Sequence, residues 1–228
     1  MASSPLILHI DTAGSSSLVA LSAGNTVLAA DTREAQAEQA AWLQPAIGRL
    51  MSQAGFSLEE IDAVSVSAGP GSYTGLRIGM ASAKGICFAL GKPLIVLSTL
   101  KIMALAMRDQ AGEGVLLCPQ IDARRLEVFT ALYNSQLNEL LPPQPLVLTE
   151  NSYDRWLAAH LVVFAGSGAA KCKSLLKSEN ALFIPLPSTQ QAAVCLGLES
   201  FARQGFADLA SAEPLYVKAF YTPAKANS

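Results

Sequence analysis

The chain has 228 residues, enough for one large domain or two small ones, with 51% hydrophobic and only 15% charged residues. A net charge of −2 and a pI of about 5.7 supply no basic surface, which excludes nucleic-acid binding by bulk charge. No apolar run is long enough to span a bilayer and no charged leader opens the chain, so the reading is a soluble, cytoplasmic protein without a membrane anchor or export signal.

Leu6 to Ile10 reads as a strand ending at Asp11, followed by strands over Leu18–Ser22 and Thr26–Ala30, the last two joined by the turn signal Ala23-Gly24-Asn25. Gln36 to Ala54 carries helical periodicity through Ala40, Leu43, Ile47, Leu50 and Met51, with Gly55 as its stop and Pro45 as a kink or division point. Ile61–Val66 is a short β-branched strand, and Leu76–Leu90 a helix free of proline. Leu94–Leu97 is a strand, and Ser98 caps a helix to about Arg108. Ala111-Gly112-Glu113-Gly114 is the best linker candidate.

Beyond it the order repeats. Val115 to Asp122 and Leu126–Leu132 read as strands, and Gln136–Leu141 as a third, broken by Pro142, Pro143 and Pro145. Helices are expected over Ser152–Ala159, Gly168–Lys177 and Thr189–Gln204, with strands at Leu161–Phe164 and Leu182–Ile184. Pro214-Leu215-Tyr216-Val217 starts an extended tail. The four cysteines, Cys87, Cys118, Cys172 and Cys195, form no C-x-x-C and read as reduced thiols. Cys172, between Lys171 and Lys173, reads as a lone exposed thiol rather than an activated one.

The stretch that organises the chain is Ser67 to Gly79, in which Gly69-Pro70-Gly71 turns the strand into the helix and Ser72 or Thr74 caps it. Gly71, Gly75, Gly79 and Ala83 recur at four-residue spacing, so from Gly75 onward they share one helical face, with Ser82 and Gly85 near it. A glycine inside a helix costs about 1 kcal/mol against alanine, so another backbone must come close. It belongs either to the protein's own sheet or to a partner chain. The phosphate and nucleophile motifs fail: Gly69, Gly71 and Gly75 are spaced G-x-G-x-x-x-G, Gly75 is followed by Leu76 rather than lysine, and Ser72 directly follows Gly71.

Ile10-Asp11 and Ile121-Asp122 end the first strand of each half, about half a chain length apart. A β-β-β-α-β-α core present twice, each first strand closed by an aspartate, points to a duplicated actin-like, sugar-kinase-like α/β fold with two domains facing across a cleft. The alternative is one mixed α/β domain. The expected division is 1–110 and 111–228, with the tail after about 213 packing back on the first domain.

Ile10-Asp11-Thr12, the run Gly69-Pro70-Gly71-Ser72-Tyr73-Thr74-Gly75-Leu76-Arg77-Ile78-Gly79, Ile121-Asp122-Ala123-Arg124-Arg125 and Pro214-Leu215-Tyr216 resemble the TsaB (YeaZ) family of bacterial tRNA threonylcarbamoyladenosine (t6A) synthesis. The resemblance implies an actin-like fold and a non-catalytic accessory role. The chain would pair with a TsaD-type catalytic paralogue, work with the ATPase TsaE, and dimerise with itself when alone. Threonylcarbamoyl would go to N6 of adenosine 37 in tRNAs reading codons that begin with A, with tRNA met only through the complex. It also implies an interface through the glycine helix, taken here as Tyr73, Thr74, Gly75, Leu76, Ile78, Gly79, Ser82, Ala83 and Ile86. Where many members carry a His-Ser-Glu type segment at the first helix, this chain has Gln39-Ala40-Ala41.

The rival readings are a nucleotide-dependent ATPase or kinase of the same fold, and a peptidase. An ATPase needs two phosphate loops and a metal-anchoring carboxylate. Asp11, Thr12, Gly14 and Ser15 offer a vestigial first loop, Gly166 and Gly168 a contact near a nucleoside, while Asp122-Ala123-Arg124-Arg125 lacks the glycine of a second loop. No cofactor is expected, except an adenine nucleotide at the junction with TsaD. No metal is expected, since His9 and His160 lie in different halves and His9 reads as a core histidine. A peptidase would draw on Ser72, Thr74, Asp62 or Cys87, none with a histidine nearby in sequence.

Overall fold

The computed structural model describes residues 4–34 and 38–217. The first half runs β1 (Leu6–Asp11), β2 (Ser17–Ala23), β3 (Thr26–Arg33), α1 (Gln39–Ala54), β4 (Ala63–Ser67), α2 (Tyr73–Leu90), β5 (Leu94–Leu97) and α3 (Thr99–Ala111). The second runs β6 (Leu116–Asp122), β7 (Glu127–Tyr133), β8 (Glu139–Val147), α4 (Asp154–Leu157), β9 (Val162–Ala165), α5 (Ala169–Leu175), β10 (Ala181–Phe183) and α6 (Gln190–Ala202). The two five-stranded sheets have orders β3-β2-β1-β4-β5 and β8-β7-β6-β9-β10, which are the same topology. Gly69 and Gly166, just past the equivalent strands β4 and β9, even share a backbone angle that disfavours side chains, φ 113 and 108. The chain is a duplicated actin-like α/β fold, and the single mixed domain is not what forms.

Strand alternation explains the layers. On β1, Leu6, Leu8 and Ile10 face a core completed by Trp42, Leu43, Ile47 and Leu50 of α1 and Met80 and Ala83 of α2. Ile7 faces the other side, where Ala192, Ala193 and Leu196 of α6 cover the sheet. In the second half, Cys118, Val128 and Phe164 pack with Tyr153 and Leu157 around α4 and with Ala169 and Cys172 of α5. The opposite face, with Leu117, Ala131 and Val163, is covered by Leu100, Met103, Ala104 and Met107 of α3. Each half therefore ends in a helix that covers the other half's sheet. Packing crosses the Gly112–Gly114 turn that composition alone marks as a linker.

Pro45 does not divide α1, because it lies on the exposed face, where the carbonyl it leaves unbonded can meet water. The expected first turn from Gln36 falls partly outside the described residues. The prolines at 142, 143 and 145 do not end their strand either. β8 runs through them to Val147 because it is the sheet's edge, bonded on one side only: a register slip between Thr130 and Leu132 leaves Pro142 and Pro143 out of the ladder, while Pro145 stays in register with Phe129. The expected helix at Ser152–Ala159 shortens to the single turn of α4.

His9 is buried on the α6 side of β1, with Nδ1 2.8 Å from Ser65 Oγ and Nε2 2.9 Å from Ser22 Oγ. Gly197 lets α6 lie over it, since a Cβ there would stand 2.7 Å from His9 Cε1. After α6 the chain returns to the first half. Ala207 N–H donates to Leu94 O (2.8 Å), and Leu215 N–H to Ala68 O (2.7 Å). The Tyr216 ring rests on Tyr73, centroids 5.3 Å apart. Residues 218–228 of the expected tail lie outside the described residues.

Candidate functional site

The expected site residues fall in two places: α2 with its turn, and the cleft between the sheets. Ser72 caps α2, its Oγ accepting Gly75 N–H at 3.3 Å, and Ser72 N–H donates to Ala13 O at 2.8 Å. The turn is held from the other side by Thr99, whose Oγ1 accepts Gly69 N–H at 3.1 Å. These bonds press the start of α2 onto the end of β1. A Cβ on Gly75 would collide with Thr12 O, and one on Gly79 with Thr12 Oγ1, which donates to Gly75 O at 2.7 Å. Gly75, Leu76, Gly79 and Ala83 are all buried.

The close backbone that this glycine row requires is therefore the protein's own. This corrects the expected interface: Gly75, Leu76, Gly79 and Ala83 face inward and cannot meet a partner. Tyr73, Thr74, Ile78, Ser82 and Ile86 keep part or all of their surface.

A second small-residue row lies on the opposite face of α2. Ala81, Gly85 and Ala89 also recur at four-residue spacing, and all three are exposed. Phe88 beside them is 82% exposed, an unusual position for a phenylalanine. Among the described residues outside the helix's own backbone, nothing lies within 4 Å of a Cβ built on Gly85. With Gln44 of α1 and Leu58, Ala81, Gly85, Ile86 and Leu90 form the walls of a groove of about 470 Å³. Expectation missed Ala81, Phe88 and Ala89, and it set Gly85 near the inward row, whereas two residues past Ala83 the helix turns Gly85 to the opposite, exposed side. At the helix start, the Arg77 guanidinium lies 5.1 Å from the centre of the Tyr73 ring, and Lys84 reaches Ala212 O of the returning chain at 2.9 Å. Gln39, at the position of the missing His-Ser-Glu segment, is buried and donates to Ser17 Oγ at 2.9 Å.

The cleft is a cavity of about 340 Å³ lined by Asp11, Gly14 and Ser15 from one half and Asp122 and Ser167 from the other, with Thr99 at the start of α3 and Thr189 just before α6. Asp11 Oδ1 accepts Ala13 N–H at 2.9 Å, and burial raises its carboxyl above the ordinary range against that bond and one to Ser67. Thr12, expected beside it, is buried against α2 instead. Gly166 and Gly168 are also displaced from expectation: a Cβ on Gly166 would strike Gln120 O, and one on Gly168 would come 2.7 Å from Val128 Cγ1. They serve a tight strand-to-helix turn against β6, and Gly168 N–H donates to Gln120 O at 3.1 Å.

The hydrolase candidates are not brought together. Ser72 is the cap, Asp62 Oδ2 accepts Leu6 N–H at 2.7 Å, and Cys87 is buried, its thiol pushed up to about 11 by desolvation. Cys172 is not the expected exposed thiol. It is buried, donates to Gln120 Oε1 at 3.3 Å, and desolvation pushes it up to about 12. Among the described residues no helix is long and apolar enough to cross a membrane.

The family described as "TsaD: tRNA N6-adenosine threonylcarbamoyltransferase" matches residues 24–218. The chain is 33% identical over 147 residues to the tRNA threonylcarbamoyladenosine biosynthesis protein TsaB of Bacillus subtilis, covering 63% of each chain. It is 38% identical over 133 residues to the TsaB of Escherichia coli, covering 58% of this chain and 56% of that one. These alignments thus span about three fifths of the relatives' length. Among solved structures it is similar to an uncharacterized Pseudomonas aeruginosa protein described as similar to peptidase YeaZ, with a TM-score of 0.81 at 27% identity over 94% of this chain and 100% of that one.

Proposed function

We propose that this chain, which belongs to the TsaB (YeaZ) family within the wider TsaD sequence family, works in threonylcarbamoyladenosine formation on tRNA as a non-catalytic docking partner of a TsaD-type catalytic subunit. In this reading the chain acts in the cytoplasm, meets tRNA only through the complex, and pairs with itself when the catalytic subunit is absent. The ATPase TsaE joins the assembled pair, and any adenine nucleotide sits at the junction with TsaD. The paired proteins transfer threonylcarbamoyl to N6 of adenosine 37, TsaD supplying the chemistry.

The observation that carries the reading is the outward row Ala81, Gly85 and Ala89 beside the exposed Phe88. A mid-helix glycine costs about 1 kcal/mol, and among the described residues no contact compensates for it at Gly85. Small residues let a second helix approach closely, and an aromatic side chain at the end of the row supplies the large apolar area typical of an interface hot spot.

Two substitutions at one position test this. Gly85→Ala should stabilise the isolated monomer by about 0.5–1 kcal/mol, because the new methyl meets nothing and helix propensity improves. Gly85→Arg should leave folding intact but weaken association about 100-fold or more, equivalent to about 3 kcal/mol. Size-exclusion chromatography with light scattering, on the chain alone and mixed with TsaD from the same organism, reads the second effect. A Gly85→Arg protein that still forms the 1:1 complex would remove this face of α2 from the interface.

A further inference from the structure

A fold of this kind can hold a metal-bound nucleotide when each half presents a carboxylate and a glycine-rich turn to the cleft. The residues present do not fit that group. On the second half, Asp122 Oδ1 accepts Arg124 N–H at 2.6 Å and is contacted by Lys171 Nζ at 2.6 Å. Lys171 comes from the first turn of α5 and also donates to Glu127 O at 3.3 Å, so its ammonium ties the helix to both ends of the β6–β7 turn. Its side chain is only 20% exposed. The turn carries Arg124 and Arg125 with left-handed backbone, φ 71 and 49, where glycines would be needed for phosphate to approach the chain. On the first half, Asp11 Oδ1 is occupied by Ala13 N–H.

We infer that Lys171 is a built-in counter-ion: its ammonium stands at the Asp122 carboxylate where a divalent cation would have to bind, and so closes the cleft to a metal-bound nucleotide. The fixed charge neutralises Asp122 without the coordination number or geometry that a metal would demand. The positive charge that remains on the turn repels a second cation. The same ion pair joins α5 to the β6–β7 turn, so the second half keeps its cleft-facing shape without a ligand.

Manganese binding, followed by electron paramagnetic resonance with Mn²⁺ alone and with Mn·ADP, tests it on the full chain. The wild type should bind neither at micromolar concentrations. Lys171→Met should gain at least tenfold in Mn²⁺ affinity, because Asp122 Oδ1 is released. Lys171→Arg, which restores the charge, should show no gain, and neither should Lys171→Met combined with Asp122→Asn. Thermal melting by circular dichroism checks that each variant folds. Lys171→Gln, which keeps a donor for Glu127 O, serves as the second charge-removing variant if Lys171→Met does not fold. Micromolar Mn·ADP binding by the wild type, or charge-removing variants that fold and show no gain, would overturn the inference.

Discussion

Alanine at Gly75 should destabilise the protein by about 3 kcal/mol or more, lowering the melting temperature by roughly 6–12 °C for a chain of this size. The added methyl meets Thr12 O, a main-chain atom at the end of β1, rather than the tip of a flexible side chain. Thr12 cannot simply step aside. Its neighbour Ala13 accepts Ser72 N–H at 2.8 Å, and its own hydroxyl donates to Gly75 O at 2.7 Å. Relief would require α2 to lift from β1, exposing Met80, Ala83 and Cys87 of the first core. Gly79→Arg is more severe still, because the whole side chain would enter the space of Thr12 Oγ1. It is therefore an unfolding substitution and tells nothing about partners. Denaturant unfolding of Gly75→Ala beside Gly85→Ala separates the two rows of α2: the first should fall in stability and the second rise. Equal midpoints for the two variants would mean that α2 docks on β1 more loosely than these contacts describe.

Acid should destabilise the fold through His9, with an onset well above the carboxylate range. Burial lowers the His9 pKa from 6.5 to about 3, so the folded protein holds a neutral ring between Ser65 and Ser22. Once unfolded, the ring titrates at its ordinary value. Below pH 6.5 the unfolded chain binds a proton that the folded chain refuses, so stability falls as pH falls, by about 1.4 kcal/mol per unit. The stabilisation is fully present above pH 6.5, and about 2 kcal/mol of it is gone by pH 5. Asp11, whose carboxyl burial raises, acts in the opposite sense, since the folded state then holds its proton more tightly than the unfolded chain does. Chemical denaturation at pH 7, 6 and 5 should show this slope in the wild type and not in His9→Gln, whatever the variant's stability at neutral pH. The same slope in both proteins would assign the acid sensitivity to another group.

Much of the fold was legible because its signals are local. The alternation of Leu6, Leu8 and Ile10, the caps at Ser72 and Ser98, and the Gly55 stop act within a few residues of where they stand. The two Ile-Asp strand ends were enough to suggest the duplication that the sheet orders display. β8 was misread for a related reason. Proline is a local signal, and only membership of the sheet's edge, a property of the whole sheet, makes it harmless there.

The site was less legible. Four-residue spacing shows that α2 carries small residues, but a helix has two sides and spacing does not say which one is covered. Most of the elements, the turn chemistry, the repeat and the family could be read from the residues alone, the extent of β8 and of α4 excepted. The tertiary structure alone decided that Gly75 and Gly79 serve β1 while Gly85 faces outward, and that α3 and α6 cover each other's sheets. It alone brought Lys171 to Asp122 across the start of α5. The physical reason is range. Propensity and periodicity act through covalent neighbours, whereas exposure, charge pairing and backbone contact depend on segments far apart in the chain.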